Sequence, residues 1–192
     1  MKLFIKYMVT KRCQTAVKTV LKNLGLHYIM VDLGEVDIME DLSPEQMEQV
    51  RVGLQSSGLE LLDDKRTILI EKIKTIIIEM VHNSCEPIKT NFSDYLCQKL
   101  NYDYTYLANL FSEVQGTTIQ QFVILHKTER IKELIMYDEL NITEIAYKLN
   151  YSSVAHLSNQ FKKTTGLTPS QFRNLRSKVR TPIEDVGNKG NI

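Results

Sequence analysis

The apolar positions along the chain change period from one stretch to the next. Residues 3–9 read as a strand. Residues 13–24 place Cys13, Ala16, Val17, Val20, Leu21 and Leu24 at amphipathic-helix spacing, with Gly25 positioned to end the helix. Residues 28–33 and 36–39 read as two strands joined by a Gly34-Glu35 turn. Ser43, Pro44 and Gln46 then fit the N-cap, N1 and N3 positions of a helix start. That helix is expected to run to Gly58, with a last strand at 59–62. The order β-α-β-β-α-β is the split βαβ pattern of a ferredoxin-like α+β domain.

Residues 65–83 predict one helix. Leu69, Ile73, Ile76, Ile77 and Met80 form its stripe, and Ile68, Ile70, Ile78 and Val81 broaden it. A stripe of that width calls for cover from more than one side. Packing within the chain is favoured over a dimer seam.

From residue 92 to 180 the spacing is helical throughout, and it repeats. Leu107-Ala108-Asn109-Leu110-Phe111 aligns with Leu157-Ser158-Asn159-Gln160-Phe161. At the same offset Gly116, Thr118, Gln121 and Phe122 meet Gly166, Thr168, Gln171 and Phe172. With one residue less of offset, Lys99-Leu100-Asn101-Tyr102 meets Lys148-Leu149-Asn150-Tyr151. Each copy predicts helix, tight turn, helix, which is the helix-turn-helix motif. The second copy has helices at 142–149 and 153–165 around a turn at 150–152, with small Ala146 (Cys97 in the first copy) where the helices would cross. Residues 118–136 predict a connecting helix roughly 28 Å long at about 1.5 Å per residue. Successive major-groove turns on one DNA face lie ~34–36 Å apart. The predicted organisation is an α+β domain at 1–64, a connecting helix at 65–84, an all-α domain with two helix-turn-helix motifs at 85–180, and a loose tail at 181–192.

Net charge is +1, so the chain as a whole is no polyelectrolyte. Locally it is uneven. No Asp or Glu lies between Ile145 and Ile183, a stretch holding Lys148, Lys162, Lys163, Arg173, Arg176, Lys178 and Arg180. A one-sign block suggests contact with a polyanion. On a helical wheel Val154, Leu157 and Phe161 turn to the core. His156, Asn159, Gln160 and Lys163 fall opposite them, flanked by Ala155 and Lys162 and preceded by Ser152 and Ser153. Amides pair with adenine edges, lysine reaches guanine or phosphate, and alanine touches a thymine methyl. In the first copy the candidates are Tyr104, Thr105, Tyr106 and Asn109, with Leu110 and Glu113 at matching positions. Asp103 and Glu113 would repel phosphate there. Thr168 and Pro169 start a further short helix whose Phe172 reads as core. Arg173, Arg176, Lys178 and Arg180 are phosphate-clamp candidates.

Residues 92–178 resemble the DNA-binding domain of AraC/XylS-type transcription regulators. The likeness is carried by Ile142-Thr143-Glu144-Ile145-Ala146 and by the run from Leu157-Ser158-Asn159-Gln160-Phe161 to Thr168-Pro169-Ser170-Gln171-Phe172-Arg173. It implies two helix-turn-helix units on one connecting helix and double-stranded promoter DNA as the partner. RNA polymerase and a second copy of the chain are further candidate partners. Asn150 stands where that family usually has Gly.

The N-terminal stretch resembles a heavy-metal-associated ferredoxin-like domain, whose Met-x-Cys-x-x-Cys holds soft metal through two thiolates. Here the stretch is Met8-Val9-Thr10-Lys11-Arg12-Cys13, and Thr10 replaces the first Cys. No metal site or cofactor is therefore expected. Cys13 is open to two readings besides residual metal binding: a small residue buried in its helix stripe, or a redox-reactive thiol beside two cations.

Three cysteines make no disulfide framework or zinc spacing, which fits a reducing compartment. His27, His82, His126 and His156 are scattered, and no phosphate-cradling Gly loop or nucleophile elbow appears, so no enzyme is expected. The most apolar stretch, 67–81, is broken by charge and too short to span a bilayer. With no signal peptide apparent, the reading is a cytoplasmic, sequence-specific DNA-binding regulator. The alternative is a metal- or thiol-redox-handling protein whose helical half binds a protein partner.

Overall fold

The computed structural model describes residues 1–83, 91–175 and 179–187. The chain divides into two compact units, Met1–Thr75 and Ile76–Ile192.

The first unit carries strands β1 (Lys2–Lys6), β2 (Tyr28–Asp32), β3 (Glu35–Ile38) and β4 (Glu60–Leu62), with helices α1 (Lys11–Asn23) and α2 (Pro44–Gln55) between them. The strands form one antiparallel sheet in the order β2-β3-β1-β4, the ferredoxin-like arrangement. Leu3 and Ile5 alternate onto one sheet face and share a core with Val17 and Leu21 of α1 and Val50 and Leu54 of α2. The two helices approach closely at Gly53, where an added Cβ would lie 2.7 Å from Val20 Cγ1. Ser43 and Gln46 form the expected capping box, and Pro44 opens α2. The helix stops at Gln55, short of Gly58.

The stretch from Met8 to Cys13 leads into the start of α1. Thr10 caps α1 and accepts from the Cys13 backbone N–H at 3.4 Å, while the Cys13 thiol lies 3.2 Å from the Thr10 hydroxyl. Met8 is buried in the core. Among the described residues no group of three His, Cys, Asp or Glu is arranged to hold a metal ion.

Helix α3 (Lys65–Ile78) follows. Lys72 sits 4.5 Å from the Phe4 ring centre and 3.4 Å from Glu35, so the middle of α3 lies on the sheet face opposite α1 and α2. Glu71 and Lys74 are both buried and pair with each other at 3.0 Å. The expected single helix over 65–83 changes winding: Glu79–Asn83 is a π-helical turn.

The second unit holds α4 (Phe92–Leu100), α5 (Tyr104–Gln115), α6 (Ile119–Tyr137), α7 (Ile142–Lys148), α8 (Val154–Thr165) and α9 (Pro169–Arg173). The pairs α4/α5 and α7/α8 each make a helix, a short turn and a second helix, and α6 joins them. Both turns place an asparagine in the left-handed region, Asn101 at φ 57° and Asn150 at φ 55°. Asparagine tolerates that conformation better than other residues with a Cβ, which explains how it stands where glycine is usual.

The C-terminal segment differs from the expected loose tail. Residues 179–187 pack back onto α6. The Thr181 N–H donates to Glu129 at 2.9 Å, Arg180 reaches Glu133 at 3.4 Å, and Val186 is buried. Gly187 lies so close to Phe122 that an added Cβ would meet the ring at 2.5 Å. Cys85, Arg176 and Lys178 lie outside the described residues. Among the described residues no helix is long and apolar enough to cross a membrane.

Candidate nucleic-acid interface

The second helix pair is fixed from below. Asn141 and Glu144 form a reciprocal capping box at the start of α7. Ile145, Ala146 and Leu149 pack with Leu157 and Phe161 of α8, Ile131 and Ile135 of α6, and Phe172 of α9. Phe161 and Phe172 meet edge to face, their ring centres 5.7 Å apart. Lys127 of α6 donates to the Leu149 carbonyl at 2.8 Å, and its ammonium lies 4.9 Å from the centre of the Tyr151 ring. Burial pulls the Lys127 ammonium down from its ordinary range and pushes the Tyr151 phenol up to about 12. The turn between the helices is thereby braced on α6.

Ser153 caps α8, accepting from the His156 N–H at 3.0 Å. The Ser152 hydroxyl lies 2.9 Å from His156 Nδ1, and the Tyr151 ring meets His156 edge-on at 5.2 Å. His156 is thus oriented by the turn itself. Ala155, His156, Asn159, Lys162 and Lys163 are exposed along one side of α8. Among the described residues the side chains of Asn159, Lys162 and Lys163 make no hydrogen bond or ion pair within the chain. Gln160 is half-buried. At 100° per residue it stands on the flank of the Leu157/Phe161 stripe rather than opposite it. Its counterpart Leu110 is buried in the first helix pair, so that position belongs to the core there.

The two lysines at the end of α8 also complement the helix macrodipole, as any helix of this length would favour. The exposed face carries one amide, an imidazole, two ammonium groups and no carboxylate, with the Gln160 amide on its flank. That donor-rich, acid-free surface suits the acceptor edges and phosphates of a DNA major groove.

The first helix pair presents a different surface. Asp103 caps α5, accepting from the Thr105 and Tyr106 N–H groups, and these bonds hold its carboxyl below the usual range. Thr105, Tyr106 and Asn109 are exposed, and Tyr104 is half-buried. Tyr102 and Tyr106 stack with ring centres 5.4 Å apart. Glu113 is exposed on the same helix.

Arg173 is partly committed inside the fold. Its Nη2 donates to the Leu140 carbonyl at 3.0 Å, and its Nε lies 3.6 Å from Asp138. It ties α9 to the end of α6. Arg180 is likewise engaged by Glu133. These partnerships span long stretches of sequence and are invisible to local spacing.

Residues 96–175 match a family model described as a helix-turn-helix domain. The HTH-type transcriptional regulator YtdP of Bacillus subtilis (strain 168) is 26% identical over 103 residues, which is 54% of this chain and 13% of that protein. The xylose operon regulatory protein of Escherichia coli (strain K12) is 27% identical over 107 residues, 54% of this chain and 26% of that protein. The match therefore spans about a quarter or less of these curated relatives. The C-terminal domain of AraT, a response regulator from Geobacillus stearothermophilus, superposes with a TM-score of 0.51 at 22% identity. It covers 62% of this chain and 94% of that one, a likeness of fold.

Proposed function

We propose that this chain, whose residues 96–175 match a helix-turn-helix domain model, is a transcription regulator of the AraC type that reads promoter DNA chiefly through α8. The observation that carries this reading is the exposed, acid-free side of α8, with Asn159, Lys162 and Lys163 uncommitted within the described chain. In the proposal α8 enters a major groove. Asn159 and Gln160 take base edges, Ala155 meets a thymine methyl, and His156 donates from an imidazole aimed by Ser152. Ser152, Ser153, Lys162 and Lys163 hold phosphates. Arg173 acts first as a brace that sets the angle of α9 against α6, and offers phosphate what its internal bonds leave.

The first helix-turn-helix unit, α4/α5, would sit in a neighbouring groove through Tyr104, Thr105, Tyr106 and Asn109. Its stacked tyrosines and its carboxylates at Asp103 and Glu113 favour apolar contact over phosphate attraction. The salt-dependent affinity of the domain is thus assigned to α7/α8.

Substitution tests the assignment. Asn159→Ala and Gln160→Ala are each expected to lose ~1–3 kcal/mol at particular base positions, while Lys163→Ala weakens all sequences alike. Equal weakening on every sequence by the two amide changes would refute base reading by α8.

A further inference from the structure

The first unit is as lopsided in charge as the second. From Met1 to Val31 there are six bases and no Asp or Glu, whereas residues 32–64 hold Arg51 as their one base among many acids. Two of the six, Lys2 and Lys6, lie on the sheet and are paired with Glu35 at 2.5 Å and Glu60 at 3.0 Å. The remaining four are on α1. Lys11, Arg12, Lys18 and Lys22 are all exposed, and among the described residues none has an ion-pair partner.

Their placement on α1 is orderly. Lys11, Thr15, Lys18 and Lys22 recur at i, i+4, i+7 and i+11, which gathers them into one narrow stripe. The stripe faces away from the buried Val17 and Leu21. At about 1.5 Å per residue the three ammonium groups spread over roughly 16 Å of helix. Arg12 and Thr19 run beside them.

The N-terminal end of the stripe works against the helix that carries it, whereas Lys22 in the last turn suits it. Lys11 and Arg12 occupy the first turn, where the positive end of the macrodipole disfavours cations, and no acid stands there to offset them. A local rule broken in this way, with no compensating partner among the described residues, marks a functional surface, and exposed cations there suit an anion. The neighbouring α2 does not supply the missing charge: Glu48 is engaged by Arg51 at 3.3 Å, and Glu45 is the other carboxylate on its surface.

We propose that the lysine stripe of α1 is a second contact with the phosphate backbone of duplex DNA, independent of sequence. The occupant follows from charge: a row of exposed cations matches a row of phosphates, and the proposed reading of α8 already brings a duplex to this chain. The inference rests on that reading. The stripe would add affinity and a steeper salt dependence without altering which site is chosen, since phosphate contacts carry no sequence information directly.

The test compares the full chain with the triple variant Lys11→Ala, Lys18→Ala, Lys22→Ala on one selected duplex and one scrambled duplex across a salt series. The slope of log K against log salt is expected to become shallower by ~0.9 for each phosphate that the variant no longer neutralises, or by about 3 in all. Weakening should be equal on both duplexes, and the thermal midpoint should not fall, because alanine relieves the first turn. A variant that keeps the full slope on a site the unmodified chain selects overturns the α1 contact alone. If the unmodified chain binds no duplex, the α8 reading fails and this inference with it. The same variants are run on phosphatidylcholine vesicles containing phosphatidylserine. Loss of vesicle binding with an unchanged DNA slope would assign the stripe to an anionic membrane surface instead.

Discussion

His82 shows how much a single buried side chain can be asked to bear. It leaves the π-helical turn and lies against α6, with its Nε2 3.4 Å from His126 Nδ1 and its Nδ1 3.9 Å from Glu133. Arg130 donates to the same carboxylate at 2.5 Å and Arg180 reaches it at 3.4 Å. Burial, and then the Arg130 charge, pull the His82 imidazole down to about 4. For Glu133, burial pushes the carboxyl up, but the Arg130 hydrogen bond and the two guanidinium charges outweigh it and hold it below the usual range. The consequence for stability has a definite sign. Between pH ~6.5 and ~4 the unfolded chain takes up a proton at His82 that the folded one refuses, so stability is full above ~6.5 and falls with acidification. A shift of about this size corresponds to roughly 3 kcal/mol once pH 4 is reached. Urea unfolding from pH ~7.5 to ~4.5 should show that decline, and His82→Gln should flatten it. An equally steep decline in the variant would place the titration elsewhere.

At the scale of elements, the C-terminal segment shows what local sequence signals leave out. Residues 181–192 are polar and rich in turn formers, and they read as a loose tail. The stretch that is described instead docks by a few contacts made far along the chain: Thr181 on Glu129, Arg180 on Glu133, and Gly187 against the Phe122 ring. Gly187 also takes φ 74°, a conformation that a Cβ disfavours. Gly187→Ala is therefore expected to loosen the segment, costing ~1–3 kcal/mol through strain and the clash together. Faster amide exchange across 179–187, with α7 and α8 unchanged, would be the mark of it. Unaltered exchange would mean that Gly187 is not what seats the segment. Much else at this scale was legible. The capping residues Ser43 and Thr168 start their helices where spacing put them, and the helix-turn-helix repeat shows in its matched Asn, Phe and Gly positions. Local spacing could not reveal the burial of Leu110, the inward partners of Arg173, or the π-helical turn, because each depends on a neighbour distant in sequence. The acid-free opening of the chain was legible as composition. Its meaning needed the pairing of Lys2 and Lys6, which leaves α1 as the uncommitted face.

For the whole molecule, two small folds divide the work. A ferredoxin-like unit supplies a rigid sheet with a basic helix on its surface, and its scaffold by itself names no activity. The Cys13 thiol lies against the Thr10 hydroxyl that caps α1. The helical unit supplies two helix pairs joined by α6, with the uncommitted donors on α8 and the aromatic, acid-bearing surface on α5. In the proposed function this chain recognises a particular DNA sequence. The direct measurement is selection of binding sites from random duplex DNA by the full chain at physiological salt. A shared site containing one strongly specified block for α8 is expected, with any weaker second block about one helical turn away. Recovery of no common sequence, with only weak and salt-sensitive binding, would contradict it.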